Sequence, residues 1–374
     1  MTSLPLNTSK LLPKLMSVGL SALLLSAALV GQASAKDDFA AEGERRAKLA
    51  GSELLGTPAP GLSLTTLTGD TLNLGELYGK KPVYLKFWAT WCVPCRQQMP
   101  GFEKIYQQYG NDLQVIAVNT GISDNLNSVG AFVKKTGLNM PVTIDDGTLA
   151  RAFNLRVTPQ HFLIDRDGRI AYVGHQDDEA FHQALKAVVA APGARAATVA
   201  GADGVAPKTA ETALVNVAGY GLGDILVPLT LTDLDNHAYP LPTAVKPGKA
   251  TGLVFFAPWC EWYLAESEPA TARACQQVRE MIEQQAPESN AQWLHISSNL
   301  WSSEADLAEY QTNYKPQLPI VFDEQGSLFG QFGVTQLPTI VYIDEAGKVT
   351  EKVSLQAPDF IPRLQSLLGA DISQ

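Results

Sequence analysis

The chain contains two copies of one sequence pattern, and this repeat limits it to two similar domains. Leu149–Asp165 aligns without a gap with Leu328–Asp344, at a separation of 179 residues. Further upstream, Phe87–Cys92 aligns with Phe255–Cys260, at a separation of 168. The difference between the two separations gives the second copy 11 extra residues. An internal repeat of this length indicates duplication of a whole domain.

The order of apolar segments in the first copy predicts a mixed α/β domain. Val83–Trp88 has the length and composition of a buried strand, and an amphipathic helical pattern runs from Arg96 to about Tyr109. Further strands and helices alternate, and the copy ends with a hairpin at Asp165–Gly168 and a last helix. This order predicts a central mixed sheet flanked by helices. Both copies together predict an α/β protein of two tandem domains.

Three local features give narrower predictions. Thr68–Asp70 separates two short alternating runs and predicts a hairpin. Ser123 is predicted to cap a helix that ends at Gly137. In the second copy, the inserted segment Glu261–Ala272 is expected to loop out, with Pro269 preventing one continuous helix.

The N-terminus has the layout of a secretory signal peptide. Lys10 and Lys14 precede the apolar stretch Leu15–Val30, and Ala33-Ser34-Ala35 follows. This layout predicts export to the periplasm with cleavage after Ala35, and an uncleaved N-terminal anchor is the alternative. After cleavage, no stable membrane insertion is expected.

An Ala/Gly/Pro-rich stretch without apolar periodicity separates the two copies, as expected for a linker. The predicted organisation is a signal peptide at 1–35, a first domain at 56–191, a linker at 192–222 and a second domain at 223–374.

The net charge of the chain argues against two classes of partner. The full chain carries a formal net charge of −10, and the first 35 residues carry +2 from two lysines, so the mature chain carries −12. A strongly acidic chain argues against nucleic acid or an anionic membrane surface as partner. The four cysteines are too few to be needed as a framework in an exported protein of this size.

Cys92 and Cys95 form a Cys-x-x-Cys pair between the predicted strand and helix. Free backbone N–H groups and the helix dipole at such a junction favour a thiolate at Cys92. Cys95 lies one turn later and can close a disulfide with it. The pair therefore predicts a two-electron dithiol/disulfide switch. The alternatives are half of a metal site, for which no second Cys-x-x-Cys exists, and an inert structural disulfide.

Both copies resemble thioredoxin-like domains, specifically the exported TlpA/ResA-like thiol-disulfide oxidoreductases of the redoxin group. The resemblance rests on the Phe-Trp-Ala-Thr-Trp-Cys-Val-Pro-Cys sequence at 87–95, on Thr158-Pro159 and on the Asp-x-Asp-Gly hairpin. It implies a cis peptide bond at Thr158-Pro159 facing the cysteines, and by the repeat a second one at Leu337-Pro338. A cis proline leaves neighbouring backbone groups free to pair with an extended peptide.

The resemblance also implies an activity. Cys92 attacks a substrate disulfide, Cys95 resolves the mixed disulfide, and a membrane electron donor re-reduces the pair. The expected partners are protein disulfide substrates, and no cofactor or metal is expected. A peroxiredoxin-like peroxidase and a non-enzymatic binding or metal-chaperone module on the same scaffold are the alternatives. The peroxidase motif Pro-x-x-x-Thr-x-x is missing before Cys92, and a chaperone would want Cys-x-x-x-Cys.

Lys86 is a departure from thioredoxin, which carries a buried Asp at this position. A carboxylate can accept the proton of Cys95, whereas a protonated lysine cannot, although its charge would favour a nearby thiolate. The alternative is that the amine of Lys86 reaches solvent.

In the second copy, the two cysteines are further apart in sequence than in the first. Cys275 aligns with Cys95 at a separation of 180, so Cys260 and Cys275 enclose 14 residues. Three readings remain open, namely a disulfide between them, a second redox or relay pair with Pro338 beside it, and two free thiols. We expect the second domain to have lost independent catalysis and to serve in substrate docking or structure.

Overall fold

The computed structural model describes residues 39–191 and 219–369. The predicted signal peptide and the linker up to residue 218 lie outside these ranges. The chain divides into a short unit ending at Glu42 and a larger unit beginning at Gly43. Helix α1 occupies the described residues 39–51. Within the described ranges, no helix is long and apolar enough to cross a membrane.

The first half of the larger unit is built around a five-stranded mixed sheet. Its elements are β1 (Ser63–Thr65), β2 (Thr71–Asn73), α2 (Leu74–Leu77), β3 (Val83–Trp88), α3 (Val93–Tyr109), β4 (Gln114–Asn119), α4 (Leu126–Thr136), β5 (Val142–Ile144), α5 (Thr148–Ala152), β6 (Gln160–Ile164), β7 (Ile170–Gly174) and α6 (Glu179–Ala190). The strand order is β5-β4-β3-β6-β7. Strand β3 pairs in parallel with β4 and antiparallel with β6, and β1 and β2 form the predicted hairpin.

Strand β3 lies at the centre of this sheet. All six of its residues are buried, as expected when helices cover both faces of a strand. Helix α3 begins directly after the turn that follows β3. Cys92 is the N-cap of α3, and Pro94 lies in its first turn, where a missing N–H leaves no hydrogen bond unmade. The chain order therefore places the cysteine pair between the central strand and an N-terminal helix turn.

Helix α4 corrects one prediction. Its N-cap is Asn125, whose side chain accepts hydrogen bonds from the N–H groups of Asn127 and Ser128. Ser123 lies two residues too early to cap the helix, and it adopts a left-handed conformation with φ of 56°. The predicted helix end at Gly137 is confirmed, with φ of 68°.

The second half repeats this architecture. Its elements are β8 (Thr230–Thr232), β9 (Ala238–Pro240), β10 (Thr251–Phe256), α7 (Cys260–Ser267), α8 (Pro269–Gln285), a 3₁₀ turn (Ala286–Glu288), β11 (Gln292–Ser298), α9 (Glu304–Tyr314), β12 (Ile320–Asp323), α10 (Ser327–Gln331), β13 (Thr339–Ile343), β14 (Val349–Ser354) and α11 (Phe360–Leu368). The strand order β12-β11-β10-β13-β14 is that of the first sheet. The predicted pair of mixed sheets flanked by helices is confirmed.

The extra residues of the second half form a helix, so the predicted loop is wrong. Helix α7 covers most of the segment and buries Leu264, and its Leu, Ala and Glu residues favour helix. The helical segment is interrupted at Glu268, and Pro269 is the first residue of α8. The predicted effect of Pro269 is therefore confirmed, because proline is tolerated in the first turn of a helix but not in its interior.

Candidate active site

Cys92 and Cys95 lie where the central strand passes into helix α3. They form a disulfide with a Cα–Cα distance of 5.2 Å. The backbone N–H of Cys95 donates a hydrogen bond to Cys92 Sγ at 3.2 Å. Neither cysteine has solvent-accessible surface in the structure. The helix N-terminus thus supplies an N–H group to the first sulfur, as the sequence predicted.

The Thr158-Pro159 peptide bond is cis, as the family resemblance implied, and so is Leu337-Pro338. Pro159 immediately precedes β6, and Gln160 of β6 lies opposite Phe87 near the end of β3. Because the cysteine turn follows the same end of β3, the register places the cis proline at the same edge of the sheet as the cysteines.

Lys86 is buried within the core, with 1% of its surface exposed. The interpretation in which its amine reaches solvent is therefore wrong. Its Nζ donates to Gln98 Oε1 at 2.9 Å and lies 5.1 Å from the ring centroid of Phe102. Burial lowers the pKa of Lys86 to about 7, and the charge of Asp177 only partly opposes this. A substantial fraction of the amine is therefore neutral at neutral pH.

A buried hydrogen-bond network connects this lysine to the cis proline. Gln98 Nε2 donates to the carbonyl oxygen of His175 at 3.1 Å. His175 Nδ1 lies 2.7 Å from the carbonyl oxygen of Pro159, and it must donate because a carbonyl only accepts. Burial lowers the pKa of His175, so the ring is neutral at pH 7. The sequence analysis missed Gln98 and His175, which carry no motif of their own.

A second buried network supports the residues before Cys92. Both the backbone N–H and the hydroxyl of Thr90 donate to the carboxylate of Asp124, the former at 2.8 Å. Asn119 Nδ2 donates to the same carboxylate at 2.8 Å, and Ser128 Oγ donates at 2.9 Å. Asp124 was also missed, because Thr90, the partner that links it to the cysteine turn, lies 34 positions away in sequence. It fixes the backbone of the turn that positions the cysteines.

The comparisons with known proteins match this half of the chain. The family model described as Redoxin matches residues 54–188. The thioredoxin-like protein YneN of Bacillus subtilis is 38% identical over 133 residues, which make up 35% of this chain and 78% of that protein. The thiol-disulfide oxidoreductase ResA of Bacillus anthracis is 35% identical over 138 residues, 36% of this chain and 78% of that protein. The chain belongs to the ResA-like redoxin family. It is a thiol-disulfide oxidoreductase.

A solved thiol:disulfide interchange protein of the thioredoxin family from Chlorobium tepidum is 27% identical to this redoxin. The alignment covers 36% of this chain and 97% of that one, with a TM-score of 0.33. The range matched by the family model contains Cys92, Cys95, Thr158 and Pro159.

The second half of this redoxin carries a different cysteine site. Cys260 and Cys275 form a disulfide with a Cα–Cα distance of 6.2 Å. They line a cavity of about 20 Å³ together with Pro338, Arg279 and His295. Burial lowers the pKa of His295 to about 4, so the ring is neutral. The structure therefore brings together the three second-half residues that the sequence singled out.

Aromatic side chains of the second half lie against the cysteine turn of this redoxin. Trp91, next to Cys92, stacks on Trp259 with 5.2 Å between ring centroids. The backbone N–H of Val93 donates to the hydroxyl of Tyr263 at 3.3 Å. A backbone N–H in the first turn of helix α3, which has no partner within the helix, therefore donates to a side chain of the other half of the molecule.

Proposed function

We propose that this redoxin is an exported reductase of protein disulfides, with Cys92 and Cys95 as its redox pair. The observation that carries the proposal is the Cys92–Cys95 disulfide at the N-terminus of α3, with the first sulfur accepting a helix N–H. Residues Thr158 and Pro159 lie at the same edge of the sheet as this disulfide, where we propose that an extended peptide binds.

The proposed reaction is thiol–disulfide exchange. The thiolate of Cys92 attacks one sulfur of a substrate disulfide, and the other substrate sulfur leaves as a thiolate that takes up a proton. Cys95 then attacks Cys92 Sγ and releases the second substrate sulfur. The substrate gains two electrons and the Cys92–Cys95 pair loses two.

We propose that Lys86 accepts the proton that Cys95 loses when it attacks Cys92. Gln98 follows Cys95 by one helical turn on α3, and Lys86 binds the Gln98 side chain from the strand below. A lysine that is partly neutral at pH 7 can accept a proton, which an ordinary lysine cannot. In this proposal, the neutral amine of Lys86 takes the role of the missing carboxylate.

The remaining parts of the proposal concern organisation and location. The sequence pattern of a signal peptide at residues 1–35 supports the proposed export to the periplasm, where a membrane donor would return electrons to the pair. The catalytic domain would span 56–191, followed by a linker at 192–222 and the second domain at 223–374. The second domain is proposed to be non-catalytic, because its two cysteines sit on different helices, α7 and α8.

Reduction of insulin disulfides in the presence of dithiothreitol tests the proposal. Cys92→Ser should abolish the activity, because no nucleophile remains. Cys95→Ala should retain the first step and accumulate a mixed disulfide on Cys92. The double variant Cys92→Ser/Cys95→Ser leaves Cys260 and Cys275 in place and is the control for the second domain. Full activity of this double variant would refute the assignment of the redox pair.

A further inference from the structure

The two halves of the molecule meet through equivalent surfaces. Trp91 and Trp259 occupy equivalent positions in the two copies and stack on each other. The indole of Trp91 donates to the carbonyl oxygen of Ile122 at 2.8 Å, and the indole of Trp259 donates to that of Leu300 at 2.9 Å. Each of these two hydrogen bonds lies within its own half, and the stacking of two equivalent residues is that of an approximate two-fold interface.

The residues that follow Ile122 and Leu300 in sequence form hydrogen bonds with the opposite half. The N–H of Trp301 donates to the carbonyl oxygen of Arg156 at 2.8 Å, and the N–H of Ser123 donates to that of Thr335 at 2.6 Å. Trp301 and Ser123 share an unusual left-handed conformation, with φ of 54° and 56°. Arg156 and Thr335 each lie three residues before a cis proline.

Side chains strengthen the same pairing. The indole Nε1 of Trp301 donates to Thr158 Oγ1 at 3.3 Å, and its ring lies edge-to-face with His175 at 5.5 Å between centroids. On the other side, the N–H of Leu337 donates to Ser123 Oγ at 3.4 Å. Trp301 is 9% exposed, so its indole is almost fully enclosed.

These contacts cover the catalytic face of the first half. Thr158 and Cys92 have no exposed surface, although an attacking sulfur must reach a disulfide in another protein. Trp259 and Tyr263 lie against the residues on either side of Cys92. The face that must receive a substrate is therefore occupied in this conformation.

We infer that the second domain occupies the peptide-docking surface of the first, and that a substrate must displace Trp301 to reach Cys92. This inference rests on the proposed function. The contacts of Trp301 indicate which partner fits in its place. This partner is an extended peptide segment with a backbone N–H that donates to the carbonyl oxygen of Arg156. Next to its disulfide it carries a bulky aromatic side chain for the surface between Thr158 and His175.

The periphery of the interface is polar. Arg156 Nη2 lies 3.4 Å from Glu324 Oε1, and Arg46 Nη2 lies 2.7 Å from Asp306 Oδ2. The Glu324 side chain of the first pair is largely exposed, so this pair contributes little to closure and reversing its charge should shift the closed fraction modestly. A closed conformation reduces the apparent affinity for substrate by the fraction of molecules that are open. Mutations that weaken closure should therefore raise kcat/KM.

Trp301→Gly in the full chain tests the inference. Glycine tolerates the left-handed φ, so the turn is retained while the indole is lost. We expect kcat/KM for insulin to rise about tenfold, in proportion to the open fraction. The matched control is Trp262→Ala, which removes an exposed indole from α7 without placing glycine inside the helix and should leave the rate unchanged.

A charge exchange at the rim provides a second variant that does not disturb the core. Glu324→Arg should raise kcat/KM about threefold by placing two guanidinium groups together, and Arg156→Glu/Glu324→Arg should restore the wild-type value. A rate that stays at the wild-type value in both Trp301→Gly and Glu324→Arg would overturn the inference.

Alkylation of the reduced protein by iodoacetamide, followed by mass spectrometry, reads out access to Cys92 without any enzymatic assay. The rate of alkylation at Cys92 should rise in Trp301→Gly and, by a smaller factor, in Glu324→Arg. If insulin is not reduced but alkylation responds, the proposed function fails and the docking inference stands. If insulin reduction depends on Cys92 but neither rate responds, the docking inference fails alone.

Discussion

At the scale of single residues, Lys86 shows how burial changes what a side chain can do. The sequence placed a lysine where thioredoxin has a carboxylate, and residue type alone argued against proton acceptance. The structure encloses the amine between Gln98 and Phe102, and burial brings its pKa to about 7. The position of Lys86 on the strand was predictable, whereas its protonation depends on tertiary packing that the sequence does not encode locally.

Lys86→Met should change the pH dependence of the resolving step. In the wild type, the neutral fraction of Lys86 rises as the pH increases through about 7, so resolution of the mixed disulfide should accelerate over that range. The variant should resolve about 100-fold more slowly and lack this inflection. Stopped-flow measurement of single turnovers between pH 5.5 and 9 checks this, with Lys104→Met, an exposed lysine on α3, as control. An unchanged profile in Lys86→Met would remove the lysine from the mechanism.

The same variant should affect stability with a defined sign. Since the pKa of Lys86 is lowered on folding, the unfolded chain binds more protons between pH 7 and 10.5, and wild-type stability rises with pH over that window. Below pH 7, the wild type carries the full cost of burying this amine. Lys86→Met should therefore have a free energy of unfolding about 2 kcal/mol higher than the wild type at pH 6, as measured by denaturant titration. This difference should disappear towards pH 10. A less stable variant at pH 6 would contradict the assignment.

At the scale of elements, strand β3, the following helix α3 and the hairpins were predictable because short-range periodicity specifies them. The cis bonds at Pro159 and Pro338 followed from the repeat and the family resemblance. The extra segment after Cys260 was expected to be a loop and is helix α7, because its apolar residue Leu264 finds a buried site in the second half. Sequence could place the break at Pro269 but not the packing that makes the segment fold.

The Cys260–Cys275 disulfide joins α7 to α8 and should be structural. Cys260→Ser/Cys275→Ser removes a link between residues 15 positions apart, which should destabilise the second half by about 3 kcal/mol. Thermal unfolding followed by circular dichroism measures the loss, while insulin reduction should remain. The reciprocal variant Cys92→Ser/Cys95→Ser should abolish activity with a smaller stability loss, because its disulfide spans only three positions. Loss of activity in the first variant with its fold intact would favour a relay role instead.

At the scale of the whole molecule, the repeat predicted two copies of one fold but not how they meet. Ser123 was interpreted as a helix cap from its position before an apolar run. In the structure it bonds to Thr335, in the way that Trp301 bonds to Arg156. These contacts join residues more than 140 positions apart, and no local pattern encodes them. The cover over Trp91 and Val93, the two neighbours of Cys92, is therefore a property of the assembled pair of domains.

Trapping a mixed disulfide tests the central claim most directly. The full-length Cys95→Ala variant is reduced, mixed with a protein disulfide substrate and analysed by mass spectrometry after proteolysis without reductant. The account predicts a substrate peptide linked to Cys92, which cannot be released because the resolving sulfur is missing. A protein that forms no adduct, or forms it through Cys260 or Cys275, would contradict the account.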